Sequence, residues 1–360
     1  MPGFDNSVMF CDNIDMRGVS PVVGQFTTNG QLLIGSTAAP HAVVGTLSST
    51  DSTISFTTGS GTLSAQVNHA TKVTTFISSG TFTKDPRSNF ITVIGYYSGG
   101  SGGSGRQGAS TAAGGGGGGC GGGGFYYQAP ASFFAPGGET VTIGGTTTGG
   151  IAILANNTNG NPGAMSNTSL LGNMLTSAPS ATVAGGGTTT TAVAGVGALP
   201  MFQFGFSGTA APGATGKNIA GTSASGNIIG EAGGNPGNLC GGAGAGGGGA
   251  DSGTERAGGV GSALLTIAAS QLIAGGTAGT ESGTIGGGNG NVPLISGGIF
   301  SGGTGGGGGG GQHSGGAAGN GGNGGFPAGG GGGGGGSINN TNSGAGGNGA
   351  AGQIIVVEWF

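Results

Sequence analysis

Residues Asn89 to Gly108 read NFITVIGYYSGGSGGSGRQG, so a strand pattern passes directly into glycine-rich sequence. The first half is rich in β-branched and aromatic residues, which favour strands. Before residue 98, glycine occurs singly among Ser, Thr, Val and Ile. After it, glycine comes in runs: Gly114–Gly119, Gly121–Gly124, Gly246–Gly249, Gly305–Gly311 and Gly329–Gly336. The segment therefore predicts a junction between β-structure and a glycine-rich region.

The composition excludes several classes of partner. Glycine supplies 100 of 360 residues, charged residues make up 5 %, and the formal net charge is -4. Seven lysines and arginines are too few for a basic stripe that binds nucleic acid or an anionic membrane. No apolar run approaches the roughly 20 residues that span a bilayer, and the first residues carry no secretory signal pattern. We therefore expect no nucleic acid and no membrane insertion.

Short β-hairpins are predicted before residue 70. Phe26–Ser36 contains an Asn29-Gly30 pair followed by an apolar run, which is a hairpin signal. Ser52–Val67 alternates, with Ile54 and Phe56 on one face, and its glycines predict a turn into a second strand. This module has too few apolar residues for a complete core.

Stronger strands follow, and others close the chain. They are predicted at Thr71–Asp85, Asn89–Ser98, Glu139–Ile143, Ile151–Leu154 and Ile354–Phe360. A C-terminus as apolar as the last of these is expected inside a sheet. Residues Gly261–Ile273 fit a short helix and a strand equally well.

We expect the glycine runs to be ordered. A flexible linker is usually polar and often charged, whereas these runs are interspersed with Ala, Ile, Leu and Phe. Glycine can adopt a left-handed helix with three residues per turn, and Gly329–Gly336 would then span roughly 25 Å. Such helices have no internal hydrogen bonds, so neighbouring helices must satisfy the backbone.

These patterns together predict an all-β chain with two parts. Residues 1–70 form an N-terminal β-hairpin module for attachment and oligomerisation. Residues 71–360 form a β-sandwich-like domain, for receptor binding or surface display, with long glycine-rich insertions packed as polyglycine II helices.

The two ends of the second part resemble a known family. FISSGTFTKDPRSNFITVIGYYSGGSGGSGRQGASTAAGGGGGGCGGGG (Phe76–Gly124) and GNGAAGQIIVVEWF (Gly347–Phe360) are similar to the opening and closing motifs of the glycine-rich C-terminal domain of phage and prophage tail fibres. The resemblance covers about Val73 to Phe360. The composition is also similar to that of phage tail-tip adhesins, in which packed polyglycine helices carry host-contacting loops. Residues 26–56 resemble β-modules of fibre-like surface proteins that are often trimeric.

The resemblance implies a structural, non-enzymatic protein of the virion surface. Its partners would be a host surface receptor, either protein or glycan, and other tail or fibre proteins. Such a protein is made in the host cytoplasm and mediates host attachment at a tail fibre or tail tip. Two other functions remain open: a structural filament or coat protein without a receptor, and ice binding, for which polyglycine lattices and threonine runs such as Thr188–Thr191 are the only cues.

No catalytic or metal-binding pattern stands out, and we expect no cofactor. His41, His69 and His313 lie in different regions without a nearby carboxylate in the sequence. Asp5, Asp12 and Asp15 fit a solvated segment better than a cation site. Cys11, Cys120 and Cys240 are too far apart for a zinc site and are expected to be reduced.

Large side chains that interrupt the glycine are the candidate receptor contacts. Aromatic residues on rigid loops suit contact with a protein loop or a sugar ring, but these residues could equally be local core. The candidates are Phe125, Tyr126, Tyr127, Phe133, Phe134, Met201, Phe202, Phe204, Phe206 and Phe300.

The N-terminal module predicts a homotrimer. Its apolar residues would complete a shared core on a threefold axis or against a neighbouring subunit. These residues are Phe26, Leu32, Ile34, Ile54, Phe56 and Leu63.

Overall fold

The computed structural model describes residues 31–34, 43–46, 54–59, 62–67, 71–109, 112–172, 183–189, 241–251, 253–265, 272–280, 291 and 302–360. The chain divides into two compact units, Met1–Thr71 with Trp359–Phe360 and Lys72–Glu358. The roles predicted for the two parts, attachment and receptor binding, stay predictions.

The part of the chain that the structure describes is all-β. Its one helical element is a single 3₁₀ turn at Ala131–Phe133. The strands are β1 (Gln31–Ile34), β2 (Val43–Thr46), β3 (Ile54–Gly59), β4 (Thr62–Val67), β5 (Thr71–Phe76), β6 (Gly80–Phe82), β7 (Phe90–Tyr96), β8 (Ala112–Ala113), β9 (Gly124–Pro130), β10 (Glu139–Thr142), β11 (Leu170–Leu171), β12 (Ala250–Asp251), β13 (Leu264–Leu265), β14 (Leu272–Ile273) and β15 (Gln353–Trp359).

The first unit contains two antiparallel strand pairs. β3 pairs with β4, with Ile54 opposite Val67 and Phe56 opposite Ala65, which confirms the hairpin predicted in this region. β1 pairs with β2 over Gln31–Ile34. The predicted Asn29-Gly30 turn and Phe26 lie outside the described residues. The predicted trimer is a property of several chains and stays a prediction.

A four-stranded sheet anchors the second unit, in the order β5-β15-β7-β9. The C-terminal strand β15 therefore lies between two others, as its apolar sequence predicted. Side chains of β7 alternate between two apolar clusters: Ile91 and Val93 join one, and Ile94 joins the other. Gly95 faces Phe125 of β9, where an added Cβ would lie 2.0 Å from the phenyl ring. Glycine at this position makes room for the aromatic ring.

A three-stranded antiparallel sheet, β11-β10-β6, shares the larger apolar cluster. Phe82, Val141 and Leu171 of this sheet are buried together with side chains of the four-stranded sheet. The core of the unit is therefore built from both sheets.

The glycine-rich segments are joined to each other by backbone hydrogen bonds with a step of three residues. Gly100, Gly103 and Arg106 donate to Cys120, Gly117 and Gly114 respectively. The intervening residues donate to other segments: Gly99, Gly102 and Gly105 donate to Ala350, Gly347 and Gly344, whereas Ser98, Ser101, Ser104 and Gln107 donate to Asn167, Ala164, Asn161 and Thr158. Successive N–H groups thus point in three directions, each toward a different neighbour.

Residues 329–336, the central tract, have six such neighbours. Their N–H groups donate in turn to Gly325, Gly242, Gly100, Gly322, Ala245, Gly103, Gly319 and Gly248. Their carbonyls accept in turn from Ala350, Gly306, Gly119, Gly347, Gly309, Gly116, Gly344 and Gln312. Every backbone polar group of this tract is therefore satisfied by another segment, as a buried backbone requires.

Serine hydroxyls add a second set of bonds at one flank. Ser98, Ser101 and Ser104 are fully buried, and their Oγ atoms accept from the backbone N–H groups of Asn167, Ala164 and Asn161. Because the same serines donate their own N–H to the same three residues, each pair is held by two hydrogen bonds.

In the glycine-rich part, the structure contradicts one predicted strand and favours one of two alternatives for another segment. The strand predicted at Ile151–Leu154 is wrong: Ile151 and Leu154 are exposed side chains on a segment whose Gly150 donates to Gly102. Its apolar residues gave the pattern of a strand, but they follow the three-residue period of the tracts. In Gly261–Ile273 the structure favours strands, because β13 pairs with β14.

Candidate functional site

The direction of the tracts defines two ends of the glycine-rich array. Gly331 and Gly334 of the central tract donate to Gly100 and Gly103, so the central tract and the segment after β7 run parallel. Gly116 and Gly119 donate to Gly334 and Gly331, so the segment before β9 runs antiparallel to the central tract. At the base end the tracts continue into β7, β9 and β15. The opposite end, the tip, is where chain reversals bring together Gln107, Thr158, Arg256, Gln312 and Ile338.

The described aromatic candidates lie at the base, on β9 and on or directly after the 3₁₀ turn, rather than on the tip. Phe125 and Phe134 are buried in the larger apolar cluster, at 5 % exposure each. They belong to the cluster that the two sheets share, which favours the core alternative that the sequence left open for them. Tyr126 and Tyr127 are half-buried and pack against the two clusters.

Phe133 differs from its neighbours because it is 73 % exposed. Phe90 is also exposed, and the residue before it, Asn89, accepts a hydrogen bond from the N–H of Ala131, two residues before Phe133. Phe133 therefore stays a candidate contact. Met201, Phe202, Phe204, Phe206 and Phe300 lie outside the described residues.

At the base, the buried carboxylate of Glu358 connects β15 to the loop that follows β6. Glu358 is fully buried and accepts from the Asp85 N–H and the Ser88 hydroxyl, while Lys72 Nζ lies 3.0 Å from Glu358 Oε2. The Arg87 side chain donates to Asp85 and lowers the pKa of that carboxyl from 3.8 to about 2. These charges tie the loop after β6 to β15.

The tip is held by polar side chains from several turns. Asn157, Asn339 and Asn340 have positive φ, the backbone conformation that Asn tolerates better than most residues. Asn156 bonds to Asn340 through the side chains, and Asn339 Nδ2 donates to the His313 carbonyl. The reversals of separate tracts are thereby joined into one surface.

His313 has a carboxylate partner, contrary to what its surroundings in the sequence suggested. Glu255 Oε1 lies 2.8 Å from His313 Nδ1 and also accepts from the His313 N–H at 3.1 Å. The partner comes from another tract, 58 residues away. No group of three metal-ligating side chains occurs among the described residues. The pair joins two turns.

Arg106 and Gln107 lie at the tip with their side chains directed toward residues 156–159. Arg106 is 9 % exposed, and its Nη1 donates to Asn159 Oδ1 at 2.5 Å. Gln107 is 2 % exposed, and its Nε2 donates to Asn156 Oδ1 at 3.2 Å. The buried Arg106 Nε and Gln107 Oε1 have no hydrogen-bond partner among the described residues. Sequence reasoning missed both residues, because nothing in the glycine pattern shows which polar side chains become buried.

Comparison with protein-family models and with curated proteins finds no match for this chain. Within the described ranges, no helix has the length and apolar character needed to cross a membrane.

Proposed function

We propose that this chain is a non-enzymatic adhesin of a virion surface, at a tail fibre or tail tip, which binds a receptor on the host cell. The observation that carries the proposal is the gathering of chain reversals from separate tracts at one end of a hydrogen-bonded array. A rigid support of this kind reduces the entropy that its loops lose on binding.

The finer architecture belongs to the same proposal. The glycine tracts are polyglycine II helices, and the support for this is the three-residue step of their hydrogen bonds, which matches three residues per turn. The two sheets form a small β-sandwich, supported by the apolar cluster that they share.

Receptor contact is assigned to two regions. The tip offers amide, imidazole and guanidinium groups on turns that are bonded to one another. Phe133 offers an exposed aromatic ring at the base. The aromatic candidates outside the described residues, which include Phe202 and Phe300, remain part of the proposal.

The proposal is tested with purified, fluorescently labelled protein and a panel of bacterial strains. We expect saturable binding to at least one strain and protection of that strain from the phage that carries the protein. Replacing Phe202, Phe204 and Phe206 together by alanine tests those candidates, with Phe133→Ala as a separate variant. Failure to bind or protect a strain that the parent phage infects would contradict the proposal.

A structural filament or coat protein is the second candidate. The observation that favours it is that three apolar side chains of the glycine-rich part, Ile151, Leu154 and Met165, are exposed, which would suit lateral association. Electron microscopy separates the two, since long homopolymers favour a filament and discrete particles favour an adhesin.

A further inference from the structure

Arg106 is a buried cation for which the described residues supply no anion. No ion pair to Arg106 occurs among them, and its one side-chain hydrogen bond is to the neutral amide of Asn159. The two acidic residues described at the tip are engaged elsewhere: Glu255 with His313, and Asp251 with the Gly253 N–H.

This arrangement is costly unless something compensates for it. A buried charge loses its hydration, and proteins normally pair such a charge with an opposite one. The guanidinium presents its donors in a planar fork that matches carboxylate and phosphate oxygens. Because Nε is both buried and unpaired within the described part of the chain, the fork retains a donor for such an oxyanion.

Within the described residues, Gln107 has an unpaired hydrogen-bond acceptor, where Arg106 has an unpaired donor. Its Oε1 is a buried acceptor to which no described residue donates, so it calls for an N–H or O–H group. Gln107 follows Arg106 directly, and both side chains reach the same short segment, residues 156–159. One ligand that carries an oxyanion and hydroxyl groups would satisfy both atoms.

We propose that Arg106 and Gln107 form a subsite for an acidic sugar, in which Arg106 holds a carboxylate or phosphate and Gln107 accepts from a sugar hydroxyl. The inference rests on the proposed function and narrows the receptor to an anionic surface glycan. A single buried arginine selects one oxyanion and does not build the basic stripe that a nucleic acid needs.

The test observes the guanidinium directly. The protein has four arginines, Arg17, Arg87, Arg106 and Arg256, so its Nε–H signals can be resolved by heteronuclear NMR and the Arg106 signal identified from its loss in Arg106→Gln. Titration with glucuronate or glucose 6-phosphate is expected to shift the Arg106 signal in a saturable way, and glucose is expected to leave it unchanged. The first two ligands distinguish a carboxylate from a phosphate. An Arg106 signal unmoved by both acidic sugars would overturn the proposal, and an equal response to inorganic phosphate would overturn its sugar part.

Matched variants separate charge from geometry. Arg106→Gln and Arg106→Lys should each weaken binding by about tenfold or more, because lysine keeps the charge but loses the planar fork. Arg256→Gln is the control, since Arg256 also lies at the tip but donates to the carbonyl of Glu255. Without ligand, Arg106→Gln should unfold at the same temperature as the parent or higher, because it removes an unpaired buried charge. A clear drop in that temperature would assign Arg106 a structural role instead.

Cell binding distinguishes failure of the subsite from failure of the proposed function. Strain binding that survives Arg106→Gln, in a protein that does not respond to acidic sugars, would overturn the subsite and leave the adhesin. A protein that binds glucuronate but no strain would overturn the adhesin and leave the subsite.

Discussion

At the residue scale, the array depends on the absence of side chains at its buried positions. A Cβ added to Gly332 would lie 2.0 Å from the Gly307 carbonyl oxygen, and the obstacle is backbone that is itself hydrogen-bonded. A flexible side chain could move aside, but this carbonyl cannot move without breaking bonds to other tracts.

Gly332→Ala is therefore expected to lower the free energy of unfolding by at least about 3 kcal/mol, the upper part of the usual range for overpacking. Gly145→Ala is the matched control, because a Cβ there would meet nothing within 4 Å. It should be neutral or stabilising by up to about 1 kcal/mol, since alanine restricts the unfolded chain. Chemical denaturation measures both. Equal stability of the two variants would contradict the close packing.

At the element scale, serine hydroxyls join neighbouring segments. Ser101 Oγ donates to the Thr148 carbonyl and accepts from the Ala164 N–H, each at 2.6 Å, so one hydroxyl connects two segments to a third. Alanine would fit the same space, because serine already has a Cβ.

Ser101→Ala should therefore cost about 1–3 kcal/mol, the penalty for leaving a buried polar group unpaired. Thr148→Ala, which alters an exposed side chain and leaves the accepting carbonyl in place, should stay within about 0.5 kcal/mol of the parent. Thermal unfolding of the two variants is the measurement. A Ser101→Ala protein as stable as Thr148→Ala would show that the hydroxyl bonds contribute nothing.

The elements that could be predicted from the sequence are those with local signals. Alternation and β-branched residues located β3, β4, β7 and β15, because a strand with one or two buried faces shows its period in the chain. At Ile151–Leu154 the same apolar pattern wrongly predicted a strand, because the exposed apolar residues there follow the three-residue step of a glycine tract. Glu255 and His313 are 58 residues apart, so no local pattern could pair them. The same holds for Arg106 with Asn159, which depends on the register between two tracts.

At the scale of the whole molecule, the two parts of the chain differ in how much apolar sequence they have for a core of their own. The second unit contains its own apolar clusters and a hydrogen-bonded array within one chain. The sequence of residues 1–70 is β-prone but poor in apolar residues, which favours a core shared between copies.

Deleting residues 1–70 should therefore convert the predicted homotrimer into a soluble monomer of residues 71–360. Multi-angle light scattering of the full chain and of the truncated chain gives the two masses. Full-length protein that is monomeric, or truncated protein that is still trimeric, would contradict the prediction.

The central claim is that the glycine tracts are an ordered, mutually hydrogen-bonded scaffold rather than linkers. Hydrogen–deuterium exchange of residues 329–336 tests it most directly, because all their N–H groups donate to other tracts. We expect these amides to exchange only through global unfolding, as slowly as the amides of β7. Exchange of residues 329–336 within seconds, at the rate of an unstructured glycine peptide, would contradict the account.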